Sequence, residues 1–152
     1  MTATADGRIG IVELVEVCAS MSARNRWLFE RLGAWVADEP DPTRQRWFAV
    51  ATHRHAWHAE LWDDRRPAIP VDAPHTDRPA HGEPDDRAGW YRAELATMRS
   101  DVAELARRVD PVLDPSTQRV IDLVLADVGW QRPMVQSFAS REVAAQPPPG
   151  AA

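Results

Sequence analysis

The sequence contains no lysine and only one cysteine, Cys18. A single cysteine excludes an intramolecular disulfide and a zinc site built from several cysteines, and it fits a reducing compartment. All 18 basic residues are arginines, and they are outnumbered by 23 acidic residues, which gives a net charge of -5. Because nucleic-acid-binding proteins usually present a basic face, this balance argues against a nucleic-acid partner.

Long apolar runs are also missing from the chain. No stretch approaches the roughly 20 consecutive apolar residues that a membrane-spanning helix needs. The first residues, MTATADGRIG, lack the basic segment and apolar core of a secretory signal peptide. We therefore expect a cytoplasmic protein without a membrane partner, and its 152 residues are sufficient for one domain with one core.

Helical periodicity is present throughout the chain, and no segment alternates as a strand would. We predict an all-α fold with helices from Arg8 to Ala37, Asp41 to Arg66, Asp86 to Val109 and Asp114 to about Ser140. The motifs Asp41-Pro42 and Asp114-Pro115 are typical of helix starts, because aspartate caps free backbone N–H groups and proline fits the first turn. Residues 141–152, which end in QPPPGAA, are expected to be a disordered tail.

The spacing of apolar residues predicts which side of each helix faces the core. The inward residues are expected to be Ile11, Val15, Cys18, Ser22, Asn25, Phe29, Leu32 and Val36 on the first helix; Phe48, Ala51, His55, His58 and Trp62 on the second; Tyr91, Leu95, Met98, Val102, Leu105 and Val109 on the third; and Val120, Ile121, Val124, Val128, Met134 and Phe138 on the fourth.

The connection between the second and third helices is much longer than the other two. Residues 67–85 contain five prolines and are predicted to be a loop. Short connections make helices one and two, and three and four, antiparallel hairpins. One long crossover between two hairpins is the ferritin-like arrangement of a four-helix bundle. The alternative is a disordered insertion in a simple up-down bundle.

The segment THRHAWHAELW, residues 52–62, carries three histidines. His55 and His58 are three residues apart and share the inward face, whereas His53 lies about 200° away from His55 and points elsewhere. Two imidazoles one turn apart can chelate a divalent metal, or they can pack in the core with a hydrogen bond or two. Without companion ligands, the sequence favours packing.

Ferritin-like di-iron bundles carry one carboxylate on each of two helices and Glu-x-x-His on each of the other two. The candidate donors in this chain are His55, His58, Asp101 and Asp127. These include only half of the usual carboxylates, so no metal is favoured. The alternative is a single iron or zinc on His55, His58 and one or both of these aspartates. The residues expected to line the centre of the bundle are Ser22, Asn25, His55, His58, Asp101, Asp127 and Trp130, with the Trp130 ring filling the space of an absent metal.

Three segments of the chain resemble a known family. VELVEVCASMS, THRHAWHAELWDDR and DPSTQRVIDLVLADVGW are similar to actinobacterial ferritin-like proteins grouped with tRNA hydroxylase, over most of residues 9–140. The resemblance implies a ferritin-like fold and a di-iron centre. It implies ligand positions at Ser22, His55, His58, Asp101, Asp127 and Trp130. Because Ser22, His55 and Trp130 differ from the family's ligands, we expect the di-iron site to be degenerate and do not expect the hydroxylase activity.

Three functions remain open from the sequence. The first is a binding or assembly module, a homodimer that pairs through the apolar line Val50, Trp57 and Leu61, although Trp57 could also pack within its own chain. The second is a metal-free enzyme for a small-molecule ligand, in which His58 or His55 is the general base and Asp127 orients it. The third is a mononuclear metal enzyme, such as an oxygenase, on the same histidines. The sequence favours the first.

Overall fold

A computed structural model describes the backbone of residues 7–69 and 82–145, and the side chains as far as Phe138. These residues form four α-helices, α1 (Ile11–Asp38), α2 (Pro42–Arg65), α3 (Arg87–Arg108) and α4 (Pro115–Ala145), with no strand among them. The predicted all-α bundle is confirmed. None of the described helices combines the length and the apolar character that crossing a membrane requires.

The predicted caps are present at the starts of two helices. The Asp41 carboxylate accepts from the backbone N–H groups of Thr43 and Arg44 at 2.7 and 3.1 Å. The Asp114 carboxylate accepts from the N–H of Thr117 at 3.0 Å. Because these bonds satisfy donors that the first helical turn leaves free, they fix where α2 and α4 begin.

Two helix boundaries differ from the prediction by more than one residue. α1 begins at Ile11 rather than at Arg8, after Gly10, which has no side chain to cap it. α4 continues past the predicted end at Ser140 to Ala145, so the first part of the expected disordered tail is helical. Residues 146–152 and the middle of the predicted loop, residues 70–81, lie outside the described part of the chain.

Ion pairs at the helix ends define how the two hairpins face each other. Glu13, near the start of α1, pairs with Arg108 at the end of α3 at 2.7 Å. Asp38, at the end of α1, pairs with Arg87 at the start of α3 at 2.8 Å. α1 and α3 therefore run antiparallel.

The contacts between α2 and α4 have the same pattern. Arg65, at the end of α2, pairs with Asp114 at the start of α4 at 2.6 Å. The rings of Trp47, near the start of α2, and Phe138, late in α4, have centroids 5.5 Å apart. α2 and α4 are therefore also antiparallel.

The core largely follows the predicted faces, with corrections on α1 and α4. All six predicted inward residues of α3 are buried. On α1, however, Ile11 is 57% and Phe29 43% exposed, while Leu28 and Trp35 are buried. On α4 Met134 is 40% exposed and its neighbour Val135 is buried. α1 packs against both α2 and α3. Its buried face is therefore rotated from the single row of inward residues that the apolar spacing predicts.

Aromatic rings fill part of the space between α1 and α3. Trp90 of α3 packs edge-to-face on Trp27 and Trp35 of α1, with ring centroids 5.4 Å apart in both pairs. The Arg31 guanidinium lies 4.9 Å from the Trp90 ring centre. Cation–π and edge-to-face contacts of this kind add to the burial of apolar area.

Candidate functional site

Buried polar side chains from all four helices meet at the centre of the bundle. None of them is more than 6% exposed. We call them the central network: Asn25 from α1, His55 and His58 from α2, Tyr91 from α3, and Asp127 and Gln131 from α4.

The first part of the central network is a continuous series of short polar contacts. The amide nitrogen of Asn25 donates to the Met21 carbonyl at 2.8 Å, which turns its oxygen towards Nδ1 of His55, also at 2.8 Å. Nε2 of His55 lies 2.6 Å from the Tyr91 hydroxyl. That hydroxyl donates to Oε1 of Gln131 at 2.6 Å. This series of contacts therefore links all four helices across the bundle.

The second part of the central network neutralises a carboxylate. Nε2 of Gln131 donates to Oδ2 of Asp127 at 2.8 Å. The Arg54 guanidinium forms an ion pair with Oδ1 of Asp127. The same guanidinium lies over the Trp130 ring, 4.2 Å from the centroid. A buried carboxylate needs an opposite charge and hydrogen-bond donors, and Arg54 and Gln131 provide both.

His58 is the unsatisfied member of the central network. Its Nε2 lies 3.1 Å from Oδ2 of Asp127, but the two are not aligned for a hydrogen bond, and Nδ1 has no partner among the described residues. Burial, with a smaller contribution from the Arg54 guanidinium, lowers the pKa of His58 to about 4. The ring is therefore neutral at pH 7 and carries the cost of unpaired buried polar atoms.

The series of polar contacts that links Asn25, His55, Tyr91 and Gln131 lacks one proton when His55 is neutral. It starts and ends on amide oxygens, which can only accept. Its three contacts need three protons, whereas the Tyr91 hydroxyl and a neutral His55 ring have one each. Burial lowers the pKa of His55 well below its ordinary value, which favours the neutral ring. One of the contacts is then made without a proton, so the network is less stabilising than its short distances suggest.

The structure brings four of the predicted centre-lining residues together and places three elsewhere. Asn25, His55, His58 and Asp127 belong to the central network. Ser22 is buried, but its hydroxyl accepts from Arg26 at 3.4 Å instead.

Asp101 and Trp130 lie outside the central network, contrary to the expectation from sequence. Asp101 is exposed and pairs with Arg24 of α1 at 2.8 Å. Trp130 is 48% exposed and stacks on Arg54 at the surface, so it does not fill the interior. Each lies far enough round its helix from the buried face to reach solvent.

Three important residues were not assigned to the site from the sequence. The apolar spacing of α3 predicts Tyr91 as a core residue, but a buried hydroxyl also needs a partner, and in the structure it has His55 and Gln131. Gln131 follows Asp127 by one helical turn, and this spacing places both on one face. No feature of the sequence around Arg54 indicates its role, because its partner Asp127 lies on another helix.

The donors at the bundle centre do not fit a di-iron centre. Among the residues that the structure describes, no group of three or more His, Cys, Asp or Glu side chains is arranged to hold a metal ion. Asp127 already faces the Arg54 cation, and both ring nitrogens of His55 have other partners. A divalent ion would therefore meet a positive charge and too few carboxylates. Asp101 pairs with Arg24 outside the centre, so a single metal there would have only His55, His58 and Asp127 as candidate ligands.

Cavities lined by described residues lie on the surface. One of about 360 Å³ lies where α1 begins and α3 ends, beside Leu14, Arg108 and Leu113. Another lies along the outer side of α2, lined by Val50, His53 and Trp57 among others. Neither His55 nor His58 lines these cavities.

A scan of protein-family models found no match to the chain, and searches of curated proteins and of solved structures also found none. The resemblance to ferritin-like proteins therefore stays a prediction.

Proposed function

We propose that the protein is a ferritin-like bundle with a degenerate di-iron site that acts as a homodimeric binding or assembly module in the cytoplasm. The observation that carries the proposal is the ion pair between Arg54 and Asp127 at the bundle centre. It supplies from the protein itself the positive charge that a metal would bring in a di-iron bundle. The central network then serves to hold the four helices in register.

The helix directions support the ferritin-like part of this proposal. α1 is antiparallel to α3, and α2 is antiparallel to α4, as the ion pairs at their ends require. Since α1 and α2 form an antiparallel hairpin, α2 and α3 run in the same direction. Helices in these directions support the long crossover of ferritin-like folds over an up-down-up-down arrangement.

The apolar line on α2 supports the assembly part of the proposal. Val50 is 39% exposed, and Trp57 and Leu61 are half-buried, so Trp57 is not fully used within its own chain. α4, which packs beside α2, adds exposed apolar area at Trp130 and Met134, 48% and 40% exposed. Exposed apolar area of this kind marks interaction surfaces.

Measurement of the oligomeric state tests the assembly proposal directly. We expect sedimentation or light scattering to show a dimer at micromolar concentrations, and Trp57→Ala to shift it towards monomer. Phe29→Ala is the matched control, because Phe29 is an exposed aromatic residue on α1. A monomeric wild-type protein at high concentration would contradict the proposal.

Metal analysis tests the second part of the proposal, the loss of the di-iron centre. Protein purified without chelators should contain no stoichiometric iron, manganese or zinc. A ligand that binds only the folded state raises the melting temperature. Because we expect these ions not to bind, adding them should leave the melting temperature unchanged. Stoichiometric metal that is lost in His58→Ala would show that the centre is a metal site.

A metal-free acid–base enzyme is the second candidate, because His58 lies beside Asp127 with both ring nitrogens unpaired. His58→Ala separates the two functions. If the variant keeps its fold and oligomeric state but loses a cellular phenotype, His58 acts chemically. If only stability changes, its role is structural.

A further inference from the structure

The outer side of α2 carries a single straight row of side chains at alternating steps of four and three residues. Such spacing places them along one face of a helix. All are exposed except Trp57, which is half-buried. We call this row the α2 outer face: Arg46, Val50, His53, Trp57, Glu60 and Asp64.

The charges of the α2 outer face are separated by sign. Arg46 lies at its amino end, whereas Glu60 and Asp64 lie at its carboxyl end, with Val50 and Trp57 between them. Among the ion pairs of the described part of the chain, none involves Arg46, Glu60 or Asp64. These charges are therefore available to a partner.

We propose that a second copy of the chain packs antiparallel along the α2 outer face, so that Arg46 of each protomer faces Asp64 of the partner subunit. The proposal rests on the homodimeric function proposed above and names its interface. A two-fold axis passes between His53 and Trp57, because Arg46 and Asp64 lie at equal distances from residue 55. A symmetric dimer of this kind uses the same surface on both protomers.

The arrangement explains both the order of charges and the position of the tryptophan. An antiparallel pair brings the basic end of one α2 to the acidic end of the other, whereas a parallel pair would place like charges together. Trp57 lies near the axis, where a large apolar side chain contributes most to binding when polar residues surround it and exclude water. The face is thus complementary to itself, which singles out a second copy as its partner.

Charge reversal at the two ends tests the proposed pairing. Arg46→Glu alone and Asp64→Arg alone each place like charges opposite each other twice per dimer, and each should raise the dissociation constant of the dimer about tenfold or more. An equimolar mixture of the two variants should form a heterodimer with the wild-type affinity, because both charge pairs are then of opposite sign. Sedimentation equilibrium of each variant and of the mixture measures these constants.

Matched controls reverse exposed charges on other helices. Arg92→Glu on α3 and Glu16→Arg on α1 should leave the dissociation constant unchanged, because neither residue lies on α2. If the wild-type protein is a dimer that neither single reversal weakens, the antiparallel packing is wrong while the dimeric function stands. If the single reversals dissociate the dimer but the mixture does not restore it, the pairing of Arg46 with Asp64 is wrong. A monomeric wild-type protein overturns both proposals.

Discussion

At the scale of single residues, the two inward histidines of α2 differ sharply in their surroundings. Both are fully buried. His55 has a partner at each ring nitrogen, Asn25 on one side and Tyr91 on the other. His58 has none that is aligned for a hydrogen bond. Since the cost of burying a polar group depends on whether it is paired, the same substitution should have different effects at the two positions.

Leucine substitutions are expected to separate the two histidines. His55→Leu leaves the Asn25 oxygen without its partner and should lower the free energy of unfolding by about 1–3 kcal/mol. His58→Leu removes unpaired nitrogens, while Asp127 keeps Arg54 and Gln131, so the free energy should change by less than about 1 kcal/mol or rise. Urea unfolding at pH 7.5 measures both. Equal losses at the two positions would contradict the assignment of partners.

The depressed pKa of His58 predicts that acid destabilises the fold. The unfolded chain takes up a proton at this residue as the pH falls through about 6.5, whereas the folded protein does so only near 4. The free energy of unfolding is therefore highest above pH 6.5 and falls between 6.5 and 4, by up to about 3 kcal/mol from this group. Burial lowers the pKa of His55 as well, and its effect has the same sign.

Urea unfolding at several pH values tests this linkage. The slope of stability against pH between 4 and 6.5 should be shallower in His58→Leu than in the wild-type protein, because one group that protonates only on unfolding has been removed. An unchanged slope would mean that His58 is already charged in the folded state.

At the scale of the helices, capping decides how a substitution acts. Asp86 caps α3 by accepting from the N–H of Gly89 at 2.7 Å, and a β-carbon at Gly89 would overlap the Asp86 carboxylate. Gly129 lies exposed within α4 with no atom close to the position of a β-carbon. Alanine should therefore affect stability differently at these two glycines, although the helix propensities of glycine and alanine are the same at both positions.

Alanine at these two glycines should show the difference. Gly129→Ala is expected to raise the free energy of unfolding by about 1 kcal/mol, because alanine favours a helix over glycine by that amount. In Gly89→Ala the same gain is offset by displacement of the Asp86 cap, which costs about 1 kcal/mol. Thermal or urea unfolding distinguishes the two, and equal stabilisation would argue against a role for the cap.

At the scale of the whole molecule, the proposed crossover sets a minimum length for the connection between α2 and α3. Arg66 follows the end of α2, while the carbonyl of Gly82 accepts from Arg31 of α1 at 2.5 Å, towards the opposite end of the bundle. A helix of this size is about 35 Å long. The intervening residues must cover this distance at no more than about 3.5 Å each.

Deletions in the connection test the crossover. Removing residues 72–75 leaves enough chain to span about 40 Å, so the melting temperature should change little. Removing residues 70–81 leaves a reach of only about 14 Å, and the bundle should not fold in the same arrangement. A stable, monodisperse protein after the longer deletion would favour the up-down alternative.

Local features of this fold could be predicted from the sequence because they depend on neighbours along the chain. Asp41 and Asp114 cap helices through N–H groups two or three residues away, and the buried face of α3 follows its own apolar spacing. The pairing of His55 and His58 on one inward face has the same local origin, and both are buried.

The membership of the central network was decided only by the tertiary structure. Tyr91 meets His55, and Arg54 meets Asp127, because helices far apart in sequence lie at a particular distance and register. Asp101 and Trp130 were excluded for the same reason, since a small rotation of a helix moves a residue at the edge of its buried face into solvent. Helical periodicity determines which face turns inward. The partner that each inward polar group finds depends on how four such faces pack together.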